Sequence, residues 1–315
     1  MSEFDLIQRY FTRVTPNSIL GVGDDAALLR VGEGMELAVS TDMLVSGTHF
    51  FPDADPLLLG HKTLAVNLSD MAAMGATPRW ATLSLSLPSI EEDWLEKFSR
   101  GFFSLADRFQ VDLIGGDTTR GPLNLCVNIM GEVPRAKALR RDGAKMNDDI
   151  WVSGTLGEAA LALVHLQGNI LLPPQVFDTC ATRLHQPQPR VALGLALRGI
   201  ANSAIDISDG LLADLGHILE RSNVGAELNY ASIPAVYISE QADDIVQRCV
   251  LAGGDDYELC FTAPTEYRTE IEKISARLAL PLARIGKIID GDGCTVHSTD
   301  GSVMQIKDTG YDHFA

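Results

Sequence analysis

Short β-branched or alternating runs separate amphipathic stretches along both halves of this 315-residue chain, which restricts it to an α/β or α+β architecture. In the first half, residues 39–41, 81–87, 111–114 and 125–129 read as strands bounded by Gly, Pro or Asp. Between them, residues 56–74 carry Leu57, Leu58, Leu64, Leu68, Met71 and Met74 at helical spacing. That pattern stops at Gly75 with Pro78 beyond, a normal helix ending. Residues 90–109 form a second amphipathic helix. A basic, poorly periodic stretch at 134–145 follows, and then a new strand at 150–152 and a helix at 156–166. We place the domain boundary there, giving domains of residues 1–137 and 138–315. The second half repeats the style, with a helix near 189–202, strands at 205–207 and 259–261, and a helix after Asp209.

A net charge of −17 repels nucleic acid and anionic membrane surfaces, so an anionic substrate has to arrive with cations. Cys126, Cys180, Cys249, Cys260 and Cys294 are odd in number, widely spaced and never in a CxxC pair. They read as reduced, mostly buried thiols. The first residues alternate charged with apolar side chains and lack the apolar run of a signal peptide, and no segment approaches the ~20 apolar residues of a membrane span. The expectation is a cytoplasmic chain with neither membrane nor nucleic-acid partners.

Chemistry is concentrated in six acidic segments at or near the ends of apolar runs: GVGDD (21–25), STD (40–42), NLSD (67–70), GGDTT (115–119), DISDG (206–210) and GGDDYE (253–258). Carboxylates flanked by Ser, Thr and Gly offer hard oxygen ligands without bulk, which suits magnesium and its retained waters. Any one segment also serves as a helix cap or turn. Asp70 resists that explanation, because it sits late in a helix where the dipole disfavours an anion; a bound cation or a salt bridge accounts for it. No segment has EF-hand spacing, so ligands converge from distant places, as when magnesium is shared between protein and substrate phosphates.

Neither the P-loop pattern nor the protein-kinase motifs occur. Positive charge gathers instead in Arg120, Arg135, Lys137, Arg140, Arg141 and Lys145, which either grip phosphates or form a solvated linker. His49 lies in a loop-like stretch. The C-terminal GYDHF (310–314) crowds two aromatics and a His where a chain usually frays, so it either packs on the body or closes a site.

Taken in order, GVGDDAALL, STDMLVSGTHF, NLSDMAAMGA, IGGDTTRGP, AIDISDGLLADLGHI, GGDDYELCF and GYDHF resemble the thiamine-monophosphate kinases nearly end to end. More distantly the chain is similar to aminoimidazole ribonucleotide synthetase, selenophosphate synthetase and the hydrogenase-maturation dehydratase. The resemblance implies a two-domain aminoimidazole ribonucleotide synthetase-like fold: an N-terminal sheet-plus-helices domain that pairs with a second copy through a barrel-like interface, and a C-terminal α/β domain completing the nucleotide and substrate site. It implies that Asp25, Ser40, Thr41, Asp42, Asp70, Asp117, Asp206 and Asp209 hold several Mg2+ ions. Gly116, Asp117, Arg141 and Ser208 then contact ATP, and His49, Asp255 and Tyr311 line thiamine monophosphate. Asp42, Asp117 and Arg141 carry the catalysis. The family phrase is usually GGEDYEL; here Asp255 replaces Glu, shortening the reach by about 1.5 Å, with Asp256 or Glu258 as substitutes. The competing readings are another ATP-using member of the superfamily and a noncatalytic divalent-cation-binding protein. A selenophosphate synthetase normally has a reactive Cys or selenocysteine near its N-terminus, and this N-terminus has no cysteine.

Overall fold

The computed structural model describes residues 2–239, 243–306, 308, 310 and 311. The chain divides into two compact units, one of Met1–Met71 with Ala76–Ala136 and one of Ala72–Gly75 with Lys137–Ala315.

In the first unit, strands β1 (Met35–Val45), β2 (Thr77–Leu87), β3 (Asp112–Arg120) and β4 (Asn124–Pro134) form a sheet of order β1-β4-β2-β3. β4 is antiparallel to both neighbours and β2 is parallel to β3. The helices are α1 (Glu3–Leu6), α2 (Pro56–Ala73) and α3 (Glu92–Phe109). Strand β4 shows the alternation of a sheet with one covered face: Leu125, Val127 and Ile129 are buried, whereas Asn124, Cys126 and Asn128 are half-buried. Helix α3 buries Leu95, Phe98, Phe102 and Leu105 at three- and four-residue spacing. Phe98 stacks on Trp94 at 4.9 Å and meets Phe11 edge-on at 6.4 Å, which ties the N-terminal segment to the helix. The helix closes at Gln110 in the left-handed region, where Val111 N–H reaches the Ala106 carbonyl at 2.9 Å.

The strands run longer than their apolar runs suggest. Every β1 residue pairs with β4, from Met35 opposite Pro134 to Val45 opposite Asn124, so Ser40, Thr41 and Asp42 lie in mid-strand rather than at a strand end. Gly115, Gly116 and Asp117 likewise lie inside β3, paired with β2. Ladder hydrogen bonds supplied by a distant strand outweigh the weak β-propensity of Asp and Gly.

The second unit holds β5 (Asp149–Ser153), β6 (Ser203–Asp206), β7 (Gly225–Asn229), β8 (Leu259–Ala263), β9 (Leu282–Ile289) and β10 (Cys294–His297). Their order is β10-β7-β9-β5-β8-β6, antiparallel except for β7 with β10. The helices are α4 (Glu158–Leu166), α5 (Pro174–His185), α6 (Val191–Leu197), α7 (Leu211–Ser222), α8 (Asp243–Ala252) and α9 (Arg268–Leu278). The helix expected near 189–202 is shorter, because Arg198 turns extended and Gly199 takes φ 77°. The sequence reading leaves out α5, α8, α9, β7, β9 and β10. Helix α9, for example, buries only Ile271 and Ile274, too few to betray a period. The core gathers Ile150, Val152, Ile205, Leu215, Ile218 and Ile285.

Burial raises the thiol pKa of all five cysteines: Cys180 and Cys294 are pushed up to about 12 and Cys249 to about 11, with Cys126 and Cys260 also raised. Neutral thiols are poor nucleophiles. Titration of the native protein with a thiol reagent at pH 8 is therefore expected to be slow at every cysteine, with all five reacting promptly once the chain is unfolded in denaturant.

Candidate active site

The first unit carries a cleft of about 950 Å³ between the N-terminal segment, the loop before β1 and the β2–β3 side of the sheet. Glu3, Asp5, Asp24, Asp25 and Asp117 line it, and among the described residues no Lys or Arg does. A wall of one sign of charge concentrates cations. Gly116 also lines the cleft. Its φ is 151°, and a Cβ there would stand 1.8 Å from the Leu83 carbonyl oxygen, so only glycine lets β3 run this close to β2.

Along β1, side chains alternate between faces. Ser40 donates its hydroxyl to Asp70 Oδ2 on α2 at 2.5 Å, and the Asp42 backbone N–H donates to Asn67 Oδ1 at 3.2 Å. Asn67 is buried, with its amide nitrogen donating to the Thr63 carbonyl at 3.0 Å. Thr41, facing the other way, donates to Asn128 at 2.6 Å. The turn after β1 brings His49 back onto the strand, where its Nδ1 accepts the Val45 N–H at 3.0 Å. In the neutral ring this leaves the proton on Nε2.

Carboxylate and hydroxyl oxygens are hard donors. Among the described residues no three His, Cys, Asp or Glu side chains converge closely enough to hold a metal by themselves. Such a donor set fits magnesium, which takes one or two carboxylates and fills its remaining positions with water and substrate phosphate.

In the second unit, Asp206 ends β6, buried, and Ser208 and Asp209 occupy the turn into α7. The Asp214 carboxylate organises that turn: its Oδ2 accepts the N–H groups of Ser208, Asp209 and Gly210 at 3.0, 3.0 and 3.1 Å. Burial pushes this carboxyl up to about 7, although the three amides favour its charged form. The turn's carbonyls hold two further segments. Ser208 O accepts from Asp255 N at 2.9 Å, Ile207 O from Tyr257 N at 2.8 Å and Asp209 O from Tyr311 N at 3.0 Å. Ser208, Asp209, Asp255 and Tyr311 are thus brought together. The remainder of GYDHF, Asp312 to Phe314, lies outside the described residues. Arg141 is exposed on the segment before β5, and the preceding Arg140 carbonyl accepts from Ala204 N at 3.1 Å, beside the start of β6.

Asp256 and Glu258, the alternatives to Asp255 in the same phrase, are both buried and bonded within the second unit. Asp256 accepts Gly157 N–H at 2.8 and 3.1 Å. Glu258, 3% exposed, pairs with Arg190 through both oxygens and accepts from Ser153 Oγ at 2.5 Å. Asn67 and Asp214 lie within phrases singled out in the sequence but carry no role there, and Asn128 lies outside them. For Asp214 a signal existed, an acid in the first turn of a helix behind an SDG turn. Replacing it by Ala leaves buried donors without their acceptor, so Asp214→Ala is expected to cost about 1–3 kcal/mol in denaturant unfolding, and Asp214→Asn, which keeps an acceptor oxygen, less.

Comparison with known proteins places these features in a family. Residues 23–133 match the N-terminal domain of the AIR synthase related proteins and residues 178–298 match their C-terminal domain. The thiamine-monophosphate kinase of Escherichia coli K12 is 47% identical over 321 residues, covering 99% of this chain and 98% of that protein. The crystal structure of thiamine-monophosphate kinase from Stenotrophomonas maltophilia K279a is 50% identical, covers 96% of this chain and 98% of its own, and superposes with a TM-score of 0.85. AaThiL complexed with AMPPCP and TMP is 28% identical, covers 98% and 96% and gives a TM-score of 0.76. The two-domain α/β fold is that of the AIR synthase related proteins, and the chain belongs to the thiamine-monophosphate kinase family.

Proposed function

We propose that this chain transfers the γ-phosphoryl group of ATP to thiamine monophosphate, forming thiamine diphosphate and ADP. The observation that carries the reading is 47% identity with the thiamine-monophosphate kinase of Escherichia coli K12 along 99% of the chain. The acceptor's phosphate has a second pKa near 6, so at neutral pH it already presents a nucleophilic oxygen and needs no general base. That oxygen attacks the γ-phosphorus in line; the new P–O bond forms as the bond to the β-γ bridging oxygen breaks, and the bridging oxygen leaves on ADP. No phosphoenzyme intervenes.

The difficulty is charge. Two polyanions must meet on a protein of net charge −17. Asp25, Ser40, Thr41, Asp42, Asp70 and Asp117 of the first unit, with Asp206 and Asp209 of the second, are the residues we assign to magnesium, which when bound neutralises phosphate oxygens. Arg141 adds positive charge, Gly116 and Ser208 offer backbone and hydroxyl contacts to ATP, and His49, Asp255 and Tyr311 orient the thiamine phosphate. Residues 1–137 then form the metal- and ATP-binding and dimerisation domain, and residues 138–315 complete the nucleotide and substrate site.

The outer face of β1 supports a homodimer. Met35, Leu37, Val39 and Met43 alternate along it, each at least 37% exposed. No described helix is long and apolar enough to cross a membrane.

Incubation with ATP and thiamine monophosphate should yield thiamine diphosphate and ADP in equal amounts, only without chelator; absence of thiamine diphosphate from folded, ATP-binding protein overturns the assignment. Asp42→Asn and Asp70→Asn should each lower turnover at limiting magnesium at least tenfold, on the scale of losing one charge-stabilising group, with thermal midpoints little changed. Val39→Glu should convert the dimer to monomer in light scattering, whereas a wild-type monomer at micromolar concentration contradicts the dimer.

A further inference from the structure

The GGDDYE loop between α8 and β8 buries Asp256, Tyr257 and Glu258 and leaves Asp255 half-buried. Asp256 is bonded to Gly157 N–H and Glu258 to Arg190 with Ser153. Asp255 and Tyr257 both occupy the left-handed region, at φ 69° and 50°. Non-glycine residues persist there only where surrounding contacts over-determine the backbone, a condition typical of ligand-binding segments. Here the contacts are visible. Asp255 N–H bonds to Ser208 O at 2.9 Å, Tyr257 N–H to Ile207 O at 2.8 Å, and Ile207 N–H to Glu258 O at 2.8 Å. Gly254 allows the approach, since a Cβ on it would stand 2.4 Å from Ser208 O.

The backbone of this loop is therefore held by main-chain bonds and by the two buried carboxylates. The Tyr257 hydroxyl does something else: it donates to Asp255 Oδ1 at 3.1 Å, while its ring is 9% exposed. A bond from a largely buried phenol to a carboxylate two residues back fixes where that carboxylate points. Resting on the proposed function, in which Asp255 orients the thiamine phosphate, we propose that Tyr257 is a positioning residue for acceptor binding, with Asp255 set against the positively charged part of the acceptor. It orients the short Asp255 side chain. An Asp has one fewer rotatable bond than Glu and cannot adjust its reach, so an external hydrogen bond sets its direction instead. The pair selects an acceptor bearing a positive charge beyond its phosphate and leaves the nucleotide untouched.

The test is a double-mutant cycle with Tyr257→Phe and Asp255→Ala, following KM for thiamine monophosphate, KM for ATP, kcat and the thermal midpoint, with acceptor affinity measured by calorimetry for any variant of low turnover. Tyr257→Phe keeps the ring and loses the hydroxyl. It is expected to raise the acceptor KM about tenfold, the scale of one charge-assisted hydrogen bond, with ATP KM and the thermal midpoint unchanged, and to have no further effect once Asp255 is Ala. An unchanged acceptor KM overturns the proposal. So does an equal effect of Tyr257→Phe in both backgrounds, or a loss of stability that tracks the loss of affinity. Wild-type protein assayed alongside separates the two failures: if it forms no thiamine diphosphate, the acceptor assignment falls and the pairing with it.

Discussion

One oxygen of Asp214 accepts three consecutive backbone N–H groups, and the second unit's site residues depend on it. With Ser208, Asp209 and Gly210 turned toward that carboxylate, the carbonyls of Ile207, Ser208 and Asp209 accept from Tyr257, Asp255 and Tyr311. A single buried acid thus fixes three residues of the turn and, through main-chain bonds alone, the register of the two segments beside it. Backbone groups withdrawn from water must find partners, and this turn satisfies donors on one side and acceptors on the other. Ser208, Asp209, Asp255 and Tyr311 share one neighbourhood for that reason.

Acidic side chains serve two different purposes in this protein. Asp214, Asp256 and Glu258 are buried, and each is compensated by amide N–H groups, a hydroxyl or a guanidinium. They shape the backbone. Asp25 and Asp117 instead lie exposed in the walls of an acidic cleft that, among the described residues, no Lys or Arg lines. Like charges held together in a fold raise its free energy unless a cation or polyvalent ligand relieves them, so such a wall is a feature of binding rather than of stability. Asp70 lies between these cases, half-buried and bonded to the Ser40 hydroxyl across from β1.

Much of the fold was legible in the residues. The strands and helices with strong periodicity, such as α3 with its buried Phe98 and Phe102, announce themselves because one covered face imposes a spacing. Elements with few buried positions, α9 or the short β7 and β10, carry little periodic signal and were missed. Strand lengths were underestimated at β1 and β3 for a related cause: Ser40-Thr41-Asp42 and Gly115-Gly116-Asp117 have poor intrinsic strand character, and their conformation is imposed by β4 and β2.

By itself the sequence determined the alternating architecture, the −17 charge that demands cations for any anionic ligand, and the ordered acidic phrases that mark the family. Only the tertiary structure decided which acids are structural. Glu258 and Asp255 are three residues apart in one phrase, yet Glu258 is held by Arg190 and Ser153, 68 and 105 residues away, while Asp255 takes its direction from Tyr257. Local pattern reports period and face, whereas the partners that neutralise a buried carboxylate such as Glu258 come from wherever the chain folds back, and no spacing along the sequence encodes that distance.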